Sequence, residues 1–336
     1  MALRSLRIIV PVEQKDAVLR LLEESGVTEK IHHYLTEGLW TLEVIVQAEQ
    51  SEKVMDILEK RFGKSEGFRM ILTSLEATVP RLETEPPGPE TTRTGEPEPE
   101  KPPMRICREE LYADIKDFSE PSWHFMVMVM LSALVAGIGL LRSNPAIVIG
   151  AMVIAPLLGP SVGMAFGTAV GDMALLRRAA TTSLAGVLLT VACAFVWGVL
   201  STVDPAIPEI ASRTFVGVGD IVLALASGCA AVLSLSKGAA SALVGVMIAV
   251  ALLPPLVAFG LLAGSGHWQP ALGAVLVFAA NFVCVNLAGV LTFMYQGIQP
   301  LSWWEKASAR RAVRRAICIW LGMLGLLLGI ILLSAK

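Results

Sequence analysis

The order of apolar and polar positions divides the chain into two unlike parts. Residues 4–12 form a β-branched run that predicts a strand, and residues 13–25 carry Val18, Leu19, Leu21 and Leu22 among charges at helical spacing. Residues 31–36 and 40–48 are strand-like, with Glu37 and Gly38 as the turn between them. Residues 51–62 predict a second helix with Val54, Met55, Ile57 and Leu58 facing inward, and residues 69–79 a last strand. The order βαββαβ predicts a small α+β domain of the ferredoxin-like kind over residues 1–80. Residues 81–103 are rich in Pro, Glu, Thr and Gly and predict a disordered linker. Residues 104–121 then predict an amphipathic interfacial helix with Ile106, Leu111, Ile115 and Phe118 on one side, either an anchor or a gate linkage.

From residue 122 to 336 the polar face disappears. Seven stretches approach the length of about 20 residues that a bilayer-crossing helix needs: 123–141, 146–170, 179–203, 219–236, 239–264, 270–296 and 316–335. Ala146–Pro160 matches Ser241–Pro255 without gaps at an offset of 245 − 150 = 95 residues. The same offset pairs Ser132 with Ser227, Leu140 with Leu235 and Arg142 with Lys237, and it maps the first three stretches onto the next three. An odd number of spans per copy makes the second copy run in the opposite sense. The expected fold is therefore an all-α polytopic membrane bundle of inverted three-helix repeats, plus one extra helix.

Composition agrees. Hydrophobic residues make up 54% of the chain and charged residues 17%, with a mean hydropathy of +0.64, whereas soluble domains carry about 25% charged residues. A net charge of −2 and the lack of a basic stripe exclude a nucleic-acid partner. Residues 1–7 lack the apolar core of a signal peptide, so the first membrane helix is expected to direct targeting. With the N-terminal domain in the cytoplasm, Arg177, Arg178, Lys237 and the cluster Lys306–Arg315 share one side, as the positive-inside rule requires of a multi-pass inner-membrane protein. Trp123, Trp303 and Trp304 fall at the expected interfaces. Expected partners are membrane lipid, a small solute or ion, and further copies of the chain.

Candidate chemistry centres on prolines inside spanning stretches. A proline lacks an N–H and clashes with the carbonyl of the preceding turn, and lipid offers no water to satisfy what is freed. Pro156, Gly159 and Pro160, with Pro254 and Pro255, are expected to break both matching helices near mid-membrane. Such breaks would either line a substrate pathway or shape packing. Gly159, Gly163, Gly167 and Gly171 form a smooth ridge, read as packing between repeats or subunits. Ser161, Asn281 and Asn286 are the other pathway candidates, as polar side chains at depth that bond either freed carbonyls or a solute. Asp172, Asp220, Arg142 and Lys237 stand at span ends as mouth charges, or as helix caps and snorkelling side chains. The five cysteines, Cys107, Cys193, Cys229, Cys284 and Cys318, form no CxxC pair and are read as apolar fillers. His32 and His33 sit in a strand and read as ordinary side chains, so no metal or cofactor is expected. No HExxH, GxSxG or GxxxxGK[ST] motif occurs, His124 and His267 stand alone, and no catalytic residue or enzyme activity is expected.

Arg108-Glu-Glu-Leu-Tyr112, the run Asn144–Pro160 and the pair Gly171-Asp172 together resemble the signature of a prokaryotic membrane family known as domain-of-unknown-function family three-eighty-nine. The resemblance covers about residues 105–300 and implies a membrane location. It supplies no catalytic residue. The leading expectation is a transporter or channel-like protein with its pathway between the two interrupted helices. The other is a signalling or scaffold protein whose helices only anchor it.

Overall fold

The computed structural model describes residues 3–25, 30–34, 38–75, 108–236 and 241–298, together with 318, 320–325 and 329. The linker 81–103, Lys237, the basic segment 305–315 and most of the seventh apolar stretch lie outside the described residues. The chain divides into two compact units, Met1–Leu111 and Tyr112–Lys336.

In the first unit the elements are β1 (Leu3–Pro11), a 3-10 turn, α1 (Lys15–Glu24), β2 (Lys30–Tyr34), β3 (Leu39–Gln47), α2 (Ala48–Phe62) and β4 (Arg69–Leu75). The strands form one antiparallel sheet in the order β2-β3-β1-β4, with Leu6 opposite both Val44 and Leu72. Alternation puts Leu6, Ile8 and Val10 of β1 on the same face as Trp40, Leu42, Val44 and Val46 of β3. Two helical stripes pack with them: Val18 and Leu22 of α1, and Val54, Leu58 and Phe62 of α2. Ile57 departs from the expected inward set. It lies off the 54–58–62 stripe and is 39% exposed. The next helix, α3 (Arg108–Phe118), begins with a buried guanidinium: Arg108 pairs with Asp56 at 3.1 Å, and Glu110 with Arg4 at 2.9 Å.

The second unit is helical: α4 (Trp123–Leu141), α5 (Pro145–Ile154), α6 (Leu158–Val170), α7 (Met173–Leu200), the short α8 (Pro208–Ala211), α9 (Val218–Ser236), α10 (Ser241–Gly264) and α11 (Trp268–Tyr295). Four of these, α4, α7, α9 and α11, are each long and apolar enough to cross a membrane, and α5 with α6 makes a fifth if the bent pair is one span. Several such helices mark a multi-pass membrane protein. The apolar Leu252–Gly264 part of α10 is shorter.

Helix boundaries repeat at the spacing of the sequence pattern. α4 and α9 are both 19 residues and start 218 − 123 = 95 apart. α7 and α11 are both 28 residues and start 268 − 173 = 95 apart. Gly171 and Gly266, again 95 apart, both adopt positive φ just before these long helices. α3 and α8 precede α4 and α9, and bury Ile115 and Ile210 at matching positions. Small residues set the closest crossings. A Cβ on Gly198 or Gly264 would collide with the carbonyl of Leu261 or Phe195, which draws α7 and α10 together.

Truncating Leu58 to Ala, at 1% exposure, should destabilise the first unit by about 2–5 kcal/mol. Ile57→Ala should cost under about 1 kcal/mol. Hydrogen-exchange protection of β1 and β3 in the full chain measures both.

Candidate functional site at the helix break

Asn144 starts α5 by accepting hydrogen bonds from the N–H groups of Ala146 and Ile147 at 3.0 and 3.3 Å, with Pro145 at the first helical position. Ten residues later the helix stops. Ala155 is extended, φ −70° and ψ 115°, as the residue before a proline prefers. Pro156 has no N–H to give the Met152 carbonyl, and α6 resumes at Leu158, bent by 56° from α5. Ser132 of α4 donates to the Ala151 carbonyl at 2.6 Å, adding a bond to the last full turn of α5.

The break therefore belongs to Pro156. Gly159 and Pro160 fall in the first turn of α6, where backbone N–H groups have no intrahelical partner and a proline removes nothing. Ser161 is buried and bonds back to the Leu157 carbonyl at 3.0 Å.

The second copy does not break. α10 runs unbroken from Ser241 to Gly264 with Pro254 and Pro255 inside it, contrary to the expected pair of interrupted helices. The alignment gives the reason: Ala251, not proline, stands at the position of Pro156. Pro254 and Pro255 occupy the places of Gly159 and Pro160, which open a helix in the first copy. They leave the carbonyls of Val250 and Ala251 without helical donors, a loss membrane helices tolerate.

The glycine ridge of α6 faces near neighbours. A Cβ on Gly159 would come within 2.5 Å of the Phe118 carbonyl, and one on Gly163 would strike Ser119. On Gly167 it would reach the Leu176 N–H nitrogen at 3.0 Å. The ridge thus seats α6 against the segment 118–119 and the first turns of α7. Gly171 ends α6 at φ +78°, where a side chain would be strained.

Asp172 has two structural tasks. Its carboxylate caps α7 by accepting from the N–H groups of Ala174 and Leu175 at 2.9 and 3.0 Å, and it accepts from the Tyr112 hydroxyl at 2.9 Å. Burial first, then the bonded Asp172 carboxylate, raises the Tyr112 phenol above its ordinary value, against an opposing pull from Arg178. Asp220 accepts from the Gly217 N–H at 2.8 Å in the first turn of α9. Arg142 is an exposed residue at the C-terminal cap of α4. Both asparagines are buried on α11, and Asn286 donates to the Phe282 carbonyl at 2.8 Å. The Asn286 carbonyl oxygen, also buried, has no partner among the described residues.

A cavity of about 260 Å³ opens at the break. Its walls include Ile115 and Phe118 of α3, Val153 of α5, Pro156, Gly159 of α6 and Leu235 of α9. Of the candidates read from sequence, Pro156 and Gly159 line it; Asn281 and Asn286 do not. Sequence reasoning missed Leu235 as a wall residue, although its pairing with Leu140 across the repeat had singled it out, and it read the Ile115–Phe118 stripe as an anchor or a gate linkage without placing it at the break.

Pro156→Ala should restore the missing N–H and straighten α5 onto α6, while Ala251→Pro should bend α10. Spin-label distances across each joint measure both changes. Tyr112→Phe should cost about 1 kcal/mol, the low end for a bond to a carboxylate because Tyr112 is partly exposed. Because the folded phenol titrates above the unfolded value, this contribution should stay constant below pH ~10 and vanish as pH rises through the raised value. Tyrosinate absorbance in wild type and Tyr112→Phe follows it.

The family model for a domain of unknown function, DUF389, matches residues 152–287, from the end of α5 to α11. An uncharacterized protein of Methanocaldococcus jannaschii is 33% identical over 280 residues, covering 83% of each chain. No solved structure matches. The residues that carry the resemblance have physical tasks here: Arg108 in an ion pair, Tyr112 on Asp172, Asn144 capping, Pro156 breaking, Gly159 fitting where a Cβ would not, and Gly171 holding a positive φ. The chain belongs to the DUF389 family.

Proposed function

We propose that this is an inner-membrane transporter or channel-like protein for a small solute or ion, with its pathway passing the break between α5 and α6. One observation carries the reading: a spanning stretch bent by 56°, with the Met152 carbonyl left without its helical donor by Pro156. Irregular backbone at membrane depth is tolerated where it lines protein or a cavity, and a cavity adjoins this break.

Inverted repeats complete the proposal. The matched boundaries support them, and so does the packing. Exchanging the two halves turns the α7–α10 contact into α11 with α6, α4–α5 into α9–α10, and α6–α7 into α10–α11, all of which occur. Under this reading α7 and α11 run oppositely, the first unit is a ferredoxin-like domain in the cytoplasm, and Arg177 and Arg178 lie on that side.

A scaffold is the second reading. Asp172 and Asp220 act as caps, and α10 is unbroken, so half of the expected conduit is an ordinary helix.

Solute flux in proteoliposomes separates the two. Transport should be measurable in wild type and fall at least about tenfold in Pro156→Ala, the effect of about 1.4 kcal/mol on the open state. No flux for any ion or small solute tried, with the protein folded and inserted, selects the scaffold. Labelling of cysteines placed at residues 204–218 and 305–315 from opposite faces of the membrane tests the inversion separately.

A further inference from the structure

The cavity at the break has walls of one character. All ten residues lining it have apolar side chains or none, so its only polar atoms are those of the backbone. Two lining residues are also half-exposed, Val153 at 50% and Phe118 at 48%, and they mark its mouth. One helical turn before Val153, Ile149 is 48% exposed on the same side of α5. In a multi-pass membrane protein an exposed apolar face of a helix this hydrophobic meets hydrocarbon rather than water, so the cavity opens sideways toward the bilayer.

The contents follow from that opening. An ion or polar solute resting in this chamber would gain no side-chain partner, so the pathway of the proposed function passes the break without using the chamber as a binding site. Water would find only backbone atoms there and no side-chain donor or acceptor. An empty chamber would forfeit the dispersion contacts of its walls. Hydrocarbon loses nothing on entry and restores those contacts. The volume is too small for a whole phospholipid but accepts the end of one chain.

We propose that this cavity is a lipid site, which takes the acyl chain of a bilayer phospholipid through the mouth between Val153 and Phe118. The chain fills the gap that Pro156 creates between α5 and α6, against Ile115 of α3 and Leu235 of α9. The site rests on the membrane-spanning character of the helices and not on transport. A lipid tail withdrawn or inserted here would change how freely α5 and α6 move.

The full chain, reconstituted in phosphatidylcholine vesicles, is irradiated with a phosphatidylcholine carrying a diazirine near the end of one acyl chain, and adducts are mapped by peptide mass spectrometry. Adducts on residues 153–162 and on Leu235 should exceed those on the exposed α7 side chains Leu184 and Leu188, which serve as ordinary lipid-facing positions. Ile154→Trp, which fills the chamber from its wall, should lower the cavity adducts about tenfold, the effect of excluding about two methylene groups. Val162→Ala, which enlarges it, should keep or raise them. Cavity labelling no higher than at Leu184 and Leu188 overturns the proposal, as does labelling that a folded Ile154→Trp protein leaves unchanged. Stronger labelling of the same peptides by a water-soluble diazirine would show an aqueous chamber and also overturn it. Should Ile154→Trp not fold, the wild-type comparison with α7 decides alone. Flux is measured separately, so loss of the lipid site and loss of transport are told apart.

Discussion

A single missing N–H organises the middle of this protein. Within hydrocarbon a backbone carbonyl has no water to turn to, so a proline in a spanning stretch obliges its surroundings to change. At Pro156 the chain responds by ending one helix and starting another at an angle. The neighbouring segments are shaped by that choice. Gly159 and Gly163 let residues 118–119 approach the new helix closely, Ser132 reinforces the last turn of the old one, and a cavity remains at the joint.

The same run of residues behaves differently in the second half because its prolines sit three and four positions further along. Ala251 can give its N–H, so α10 passes the point at which α5 stops. Proline content alone thus does not decide whether a helix breaks. The residue before it must be free to become extended, and a second helix must have somewhere to go. Both conditions hold at Ala155 and α6, where Gly159, Gly163 and Gly167 open a place beside Phe118, Ser119 and Leu176.

Charged and polar groups near the helix ends do local work. Asp172 joins the α6–α7 turn to Tyr112 while capping α7, and Arg178 reaches Glu120 at 2.7 Å, so two contacts hold residues 112–120 to the start of α7. Both are partly exposed and individually worth little. They orient the segment; the buried Ile115 supplies the apolar contact. Deeper in α11, the Asn286 carbonyl oxygen is one of the buried polar atoms left without a hydrogen-bond partner among the described residues.

Much of this was legible in the chain itself. Alternation in β1 and β3 and the four-residue stripe of α2 gave the first unit its elements and most of its core, because period and burial are tied locally. Apolar length anticipated four spanning helices and the bent pair α5–α6 among the seven stretches it marked, and the 95-residue offset anticipated equal helices at α4 and α9 and at α7 and α11. Tertiary structure decided the rest. Whether Pro156 or Pro255 would interrupt a helix depended on which carbonyl lost its donor and which neighbour could receive the redirected chain. The cavity depended on Leu235 and Ile115, 120 residues apart in sequence, facing one space. Periodicity reports which face of an element is apolar. It carries no record of what that face will touch, since contact arises only when distant segments share space.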